Sequence, residues 1–392
     1  MSWERQKATI AAEPDEPSLV IWLIAGLVAA IAGVLLFVLH ANQFLGELQK
    51  FNLWIVAGGP LFIWFITICI RGWMYNHAMN RHQFESDEAN YAQQQWTFWA
   101  GRYLAVLYSR VILPDELTPS TFLQAPIDRE QISSLSRGIV LPVGEDAFSA
   151  LIGGLDISEL QRLSDLPFHA TLLTDSHDPD ETLQREFSAC WLQLVGQAYP
   201  VPLLTILKER SFDWVGERLK APILDVELLL VHQTQGGNEY SDSLSALMLT
   251  SDDVATKYQL NHHARLLRPM SFESTQMLSE ELDTYFSTQS QAIAAHAIVG
   301  DSMEWGDDFS TLLASAKQYE GSWKPQQCHW LEKYAGLSGP FSPWIIAAVV
   351  SDITLLTKED CLMLSGDKEQ RFVNTVTTGN LMNGEGYLSV AW

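Results

Sequence analysis

Two uncharged apolar runs dominate the amino-terminal part of the chain. LVIWLIAGLVAAIAGVLLFVL, Leu19 to Leu39, holds 21 residues without a charge, and LWIVAGGPLFIWFITICI, Leu53 to Ile70, holds 18. A span of roughly 20 apolar residues matches the hydrocarbon thickness of a bilayer. Residues 19–39 and 53–70 are therefore expected to be transmembrane helices. Glu13, Asp15 and Glu16 flank the first run and no Ala-x-Ala site follows it, so a retained anchor fits better than a cleaved secretory signal. Pro60, behind Gly58 and Gly59, would break a helix in water, but such breaks are tolerated in a membrane when neighbours satisfy the freed backbone groups. The connection Ala41–Asn52 is short, which makes residues 19–70 a hairpin. Ala25, Ala29 and Gly33 repeat at four-residue spacing, as do Gly26 and Ala30, and small residues on one face let helices approach closely.

Beyond the hairpin the pattern changes twice. YAQQQWTFWAGRYLAVLYSRVIL places Trp96, Trp99, Tyr103, Leu107 and Val111 three and four apart, which predicts one juxtamembrane helix over 71–113. Pro114 and Pro119 then mark a linker over 114–134. From 135 to 392 strand-like and helix-like segments alternate. RGIVLPVG, FHATLLTD, PVPLLTILKE, LDVELLLVHQT, YSDSLSALMLTS, HHARLLRPMS and AAHAIVGD read as strands. EDAFSALIGGLDISELQRLSD (in part), PDETLQREFSACWLQLVGQ, DWVGERLK, STQMLSEELDTYFSTQSQAI, DDFSTLLASAKQYEG and PFSPWIIAAVVSDITLLT read as helices, and RFVNTVTTGNLMNGEGYLSVAW as extended chain around Gly-Asn turns. The fold class expected is α/β with a largely buried sheet, with room for two similar halves.

Charge narrows the setting. The formal net charge is −23; residues 1–18 carry −2 of it and residues 19–70 none, which leaves −21 on the rest. So acidic a domain repels phosphate backbones, which argues against nucleic acid as a partner. Arg5 and Lys7 precede the first run, Arg71, Arg81, Arg102 and Arg110 follow the second, and the connecting loop has only Lys50. That distribution predicts a cytoplasmic amino-terminal tail over 1–18 and both termini on the cytoplasmic side of the membrane. Trp54, Trp73 and Tyr75 stand where an interfacial aromatic belt would be. Cys69, Cys190, Cys328 and Cys361 are widely spaced; Cys69 lies in an apolar run, and such scattered cysteines read as reduced core residues.

VELLLVHQT followed by NHHARLLRPMS, and DDFSTLLASAK followed by GLSGPFSPWIIAAVVSDI, resemble the thiolase-like proteins, ketoacyl synthases among them, over about residues 135–392. The catalytic motifs do not carry over. Cys190 lies inside an amphipathic helix pattern, His296 lacks the glycine-threonine run, and LSGPFSPW lacks the histidine. A membrane-anchored, catalytically empty domain of this kind is similar to the adaptor proteins of type VI secretion effectors, the lipase-adaptor family in particular. That resemblance implies a role in holding an effector.

The search for chemistry yields few groups. GxxxxGK[ST], a GxGxxG after a strand, GxSxG and HExxH do not occur. Cys190, His296 and Cys328 are the catalytic candidates that remain. DSHDPDE offers Asp175, His177, Asp178 and Asp180 as oxygen and nitrogen ligands for a divalent cation, but the same residues make a solvated helix start. His262 and His263 are adjacent, so on a strand they point to opposite faces. GDSMEWGDDF is the most distinctive loop. Asp301, Met303, Glu304, Trp305, Asp307 and Asp308 could form an acidic and aromatic patch for a basic or amphipathic protein partner, or simply connect a strand to a helix. The expected function is a membrane-anchored, non-catalytic adaptor that needs no cofactor and binds a protein, with a homodimer left open. The alternative is a membrane-tethered acyl-transferring enzyme.

Overall fold

The structure, a computed structural model, describes residue 3 and residues 9–124, 135–142, 144–196, 199–272, 278–367 and 370–381. It divides into two compact units, one over residues 2–95 and one from Trp96 onward.

In the first unit, helix α1 (Leu19–Ala41) is followed by a short 3-10 turn (Gly46–Lys50) and by α2 (Leu53–Ala100), which runs unbroken through Pro60. Both helices are long and apolar enough to cross a membrane. They lie antiparallel against each other. The Trp64 indole donates to the Trp22 carbonyl (3.0 Å), and Phe37 meets Trp54 with ring centroids 6.0 Å apart. Close approach needs glycine here: a Cβ on Gly33 would stand 2.6 Å from the Ala57 carbonyl oxygen, and one on Gly26 2.9 Å from the Trp64 ring. Most of the remaining apolar surface of both runs is exposed.

In the second unit the helix expected over 71–113 is corrected. It ends at Ala100, and Tyr103–Ile112 is a strand, β1. Gly101 interrupts the helix, and a strand covered on both faces is apolar almost throughout, so a helical stripe can be picked out of it by chance. The linker expected over 114–134 is structured where described: Pro114–Glu116 is a 3-10 turn, and Pro119 opens helix α3 (Pro119–Gln124). Residues 125–134 lie outside the described residues. RGIVLPVG is not a strand. Arg137 and Ile139 bond to Ser241 and Asp242 one at a time, without a ladder, and Val143 lies outside the description.

The chain continues through α4 (Ala147–Ile152), α5 (Ile157–Arg162), β2 (Phe168–Thr174), α6 (Asp180–Leu194), β3 (Leu204–Leu207), α7 (Trp214–Lys220), β4 (Val226–Gln233), β5 (Ser243–Ser251) and α8 (Asp252–Lys257). Then come β6 (His262–Leu267), β7 (Met270–Phe272), α9 (Leu278–Thr288), β8 (Ala297–Gly300), α10 (Trp305–Lys317), β9 (Cys328–Trp330), α11 (Glu332–Ala335), α12 (Ser342–Thr357), β10 (Cys361–Gly366) and β11 (Arg371–Asn380). The short strands β9 and β10 have no counterpart in the sequence reading. The carboxyl-terminal segment expected to be extended is so through Asn380, and residues 382–392 lie outside the description.

Among the described residues eleven strands make one sheet, ordered β3-β2-β4-β5-β1-β6-β11-β10-β8-β9, with β7 added on β11. The order is a repeat. In the first half β2 is parallel to β3 and β4, β5 is antiparallel to β4, and β1 is antiparallel to β5. In the second half β8 is parallel to β9 and β10, β11 is antiparallel to β10, and β6 is antiparallel to β11. The halves join through antiparallel β1 and β6. Leucines 228 and 230 face one hydrophobic core, and Leu229 with Val231 faces the other, so the sheet is covered on both sides. The repeat is unequal between the second and third parallel strands of each half: α7 has 7 residues, whereas α12 has 16, most of them buried. Helix α12 packs on strands of both halves.

Candidate functional site

Open α/β sheets bind ligands at the carboxyl ends of their parallel strands. There the two halves place an aspartate at the same point. Asp175 follows β2 directly and Asp301 follows β8. Each donates its backbone N–H to the neighbouring parallel strand, Asp175 to His232 (3.4 Å) and Asp301 to Leu364 (3.1 Å). Each then uses its carboxylate to hold the next hairpin. Asp175 accepts from the backbone N–H of Thr234 (3.0 Å) and Gln235 (2.8 Å) and from the Tyr240 hydroxyl (3.1 Å). Asp301 accepts from the Gly366 N–H (2.9 Å), the Ser342 hydroxyl (2.7 Å) and the Trp305 indole N–H (3.0 Å). Ser342 is the first residue of α12, so a carboxylate there also meets the positive end of that helix. Burial nonetheless pushes the Asp301 carboxyl up to about 6, against hydrogen bonds from Gly366, Ser342, Trp305 and the Ser302 backbone that pull it down.

Gln233, the last residue of β4, ties the first half to the start of α12. Its amide donates to the Ser241 carbonyl (2.9 Å) and accepts from the Phe341 N–H (3.2 Å). Gly339 passes so close that a Cβ would lie 2.4 Å from the Gln233 side-chain oxygen. Beside these contacts lies a cleft of about 340 Å³. Its walls are Glu239 and Tyr240 from the β4–β5 connection, Ser302, Glu304 and Trp305 from the β8–α10 connection, Gly339 and Pro340 before α12, and Gly366, Asp367 and Arg371 from the β10–β11 connection. Arg371 is neutralised by Asp308 (2.5 Å), and its guanidinium lies 3.7 Å from the Trp305 ring centroid. Burial, then Asp175, push the Tyr240 hydroxyl up to about 12, which keeps it protonated.

The patch expected from GDSMEWGDDF is thereby corrected in part. Asp301 and Trp305, each 2% exposed, are internal, because the aspartate is consumed as a loop pin and the indole is covered by Arg371. Met303, Glu304 and Asp307 are exposed, and Asp308 holds Arg371. The cation candidates are dispersed in role. Asp175 is engaged as above, Asp178 accepts from Ser176 (2.7 Å), Asp180 sits in the first turn of α6, and His177 is exposed. Among the described residues no group of three or more His, Cys, Asp or Glu could hold a metal ion.

The catalytic candidates stand apart from the cleft. Cys190 is buried in α6 against the second hydrophobic core, and burial pushes its thiol up to about 11. Cys328, on edge strand β9, is pushed up to about 12 by burial. His296 is exposed and pairs with Glu359 (3.0 Å). The structure brings His296 and Cys328 only to neighbouring positions, where the Gln327 amide donates to the His296 carbonyl (2.7 Å). His262 is buried and His263 half-buried on β6; burial drives the His263 imidazole down to about 4. Sequence reasoning missed Gln233, Glu239, Tyr240, Ser342 and Arg371. The signal available in the sequence is QGGNEYSD, a Gly-Gly turn between two strand-like segments.

No protein-family model matches the chain, and no curated protein matches it. Several solved structures are similar at low identity. A structure of the AntDE:AntF complex, a type II PKS acyl-carrier protein with its ketosynthase, shares 12% identity over 71% of this chain and 99% of its own, with a TM-score of 0.47. Cerulenin-bound OleA of Xanthomonas campestris shares 11% over 72% and 98%, with a TM-score of 0.42. The 3-oxoacyl-(acyl carrier protein) synthase III FabH of Xanthomonas oryzae shares 10% over 70% and 98%, with a TM-score of 0.41. At these scores the architecture rests on the strand order described above.

Proposed function

We propose that this chain is a membrane-anchored, non-catalytic adaptor whose α/β unit binds another protein. One observation carries the reading. The catalytic candidates Cys190, His296 and Cys328 do not line the cleft at the strand ends, and burial pushes both thiols up. The most buried polar group of the cleft, Asp301, is occupied in holding loops, and so is Gln233 beside it. Such a site is stiff and shaped, which suits recognition.

The finer reading follows the sequence. Helices α1 and α2 cross a bacterial inner membrane, both termini are cytoplasmic, and the bound protein is a type VI secretion effector on its way to loading. The thiolase-like resemblance then describes a scaffold without the condensing chemistry. The competing reading is a membrane-tethered acyl-transferring enzyme, favoured by the cleft volume, which falls in the range of small-molecule sites.

Affinity isolation of the full-length chain in detergent separates the two. The adaptor reading expects one protein at fixed stoichiometry, retained by the triple variant Cys190→Ala, His296→Ala, Cys328→Ala. Acyl transfer from an acyl-thioester that disappears in any one of those single variants would overturn it. A mass equal to two copies of the chain would assign the surface to a homodimer instead.

A further inference from the structure

The cleft has a second property that the loop pins do not use. Its outer rim carries one exposed carboxylate from each half, Glu239 in the β4–β5 connection and Glu304 ahead of α10. Among the described residues no ion pair or hydrogen bond engages either carboxylate. The other charged walls are Asp301, Asp367 and Arg371. Arg371 is paired through Nη1 with Asp308 and pressed on Trp305; among the described residues its Nη2 has no hydrogen-bond partner, and neither glutamate is its ion-pair partner. The walls thus hold four carboxylates against one guanidinium whose charge Asp308 already matches, in a concave space with protein on several sides. Such a cleft focuses a negative field. Tyr240, protonated and partly exposed, adds an aromatic ring and a hydroxyl at the same rim.

We infer that the cleft between the two halves receives a cationic side chain of the partner polypeptide, gripped between Glu239 of one half and Glu304 of the other. The inference rests on the protein-binding reading and gives that partner a chemistry: a basic residue on a projecting segment, long enough to reach a pocket of about 340 Å³. A guanidinium, planar and with five donors, can serve two carboxylates at once. Because the carboxylates come from different halves, the contact also spans the seam beside the start of α12.

The test is calorimetric titration of the full-length chain in neutral detergent with acetyl-Arg-Arg-Arg-amide. The citrulline analogue, the same shape without charge, is the reference. Binding at one peptide per chain, at least tenfold weaker for citrulline and at least tenfold weaker in the double variant Glu239→Gln, Glu304→Gln, is expected. Glu186→Gln, an exposed acid on α6, should leave the affinity unchanged. Affinity unchanged in the double variant, or several peptides bound per chain, would assign the interaction to the general acidic surface and overturn the inference. The two proposals fail separately. A protein captured equally well by wild type and double variant keeps the adaptor and removes the cleft; one-to-one peptide binding without any captured protein does the reverse.

Discussion

Asp301 and Asp175 do the same work in the two halves, at different depths. Removing Asp301 leaves the Trp305 indole N–H and the Gly366 N–H without an acceptor in the interior, at about 1–3 kcal/mol each. Asp301→Ala is expected to destabilise the detergent-solubilised chain by about 3 kcal/mol in urea unfolding, and Asp175→Ala, at a more open loop, by about 1–2 kcal/mol. The Asp301 carboxyl also sets a pH dependence. Its folded value of about 6 lies above the reference of 3.8, so the folded chain holds that proton more tightly than the unfolded one. The stability it adds is fully present below about pH 4 and is lost as pH rises through about 6. The difference in unfolding midpoint between wild type and Asp301→Asn should therefore shrink from pH 4 to pH 7; a difference that grows would contradict the assignment. Neither aspartate could be read as a pin beforehand. Hydrogen bonds to Gly366 and Ser342 connect residues 65 and 41 positions away, and no local pattern carries that information.

Elements differed in how legible they were. Strands such as β4 and β5 announced themselves as β-branched and leucine-rich runs between turn residues, and α6 and α10 through apolar positions on one face. Strand β1 did not, because apolar residues on both faces satisfy either period, and only its pairing with β5 and β6 decides the outcome. The small-residue face of α1 was visible in the sequence, and the structure selects Gly26 and Gly33 from it. This gives a comparison with a built-in control. Gly33→Val would push against the Ala57 carbonyl and is expected to lower resistance to SDS unfolding by about 1–3 kcal/mol. Gly58→Val, with nothing within 4 Å of the new Cβ, should change it little.

At the scale of the molecule, the expectation of an apolar hairpin followed by a mixed α/β unit matches what is described; the sequence left room for two similar halves, and the strand order supplies their arrangement. With α1 and α2 in a bilayer, the full-length chain should stay in the pellet after alkaline carbonate washing. A label on a cysteine placed at Ser2 should require permeabilised cells; labelling in intact cells would reverse the proposed orientation. The central position of β1 has a consequence for biosynthesis. Its first ladder partner, Leu244 opposite Ile112, is translated 132 residues after Ile112, which at about 5–20 residues per second means roughly ten seconds of waiting. Through that interval a largely apolar ten-residue segment lacks both of its sheet neighbours, β5 and β6. Nascent chains of this protein should therefore lean on holdase chaperones at the ribosome until β5 and β6 arrive, and synonymous codons that slow translation between β1 and β5 should lengthen that dependence.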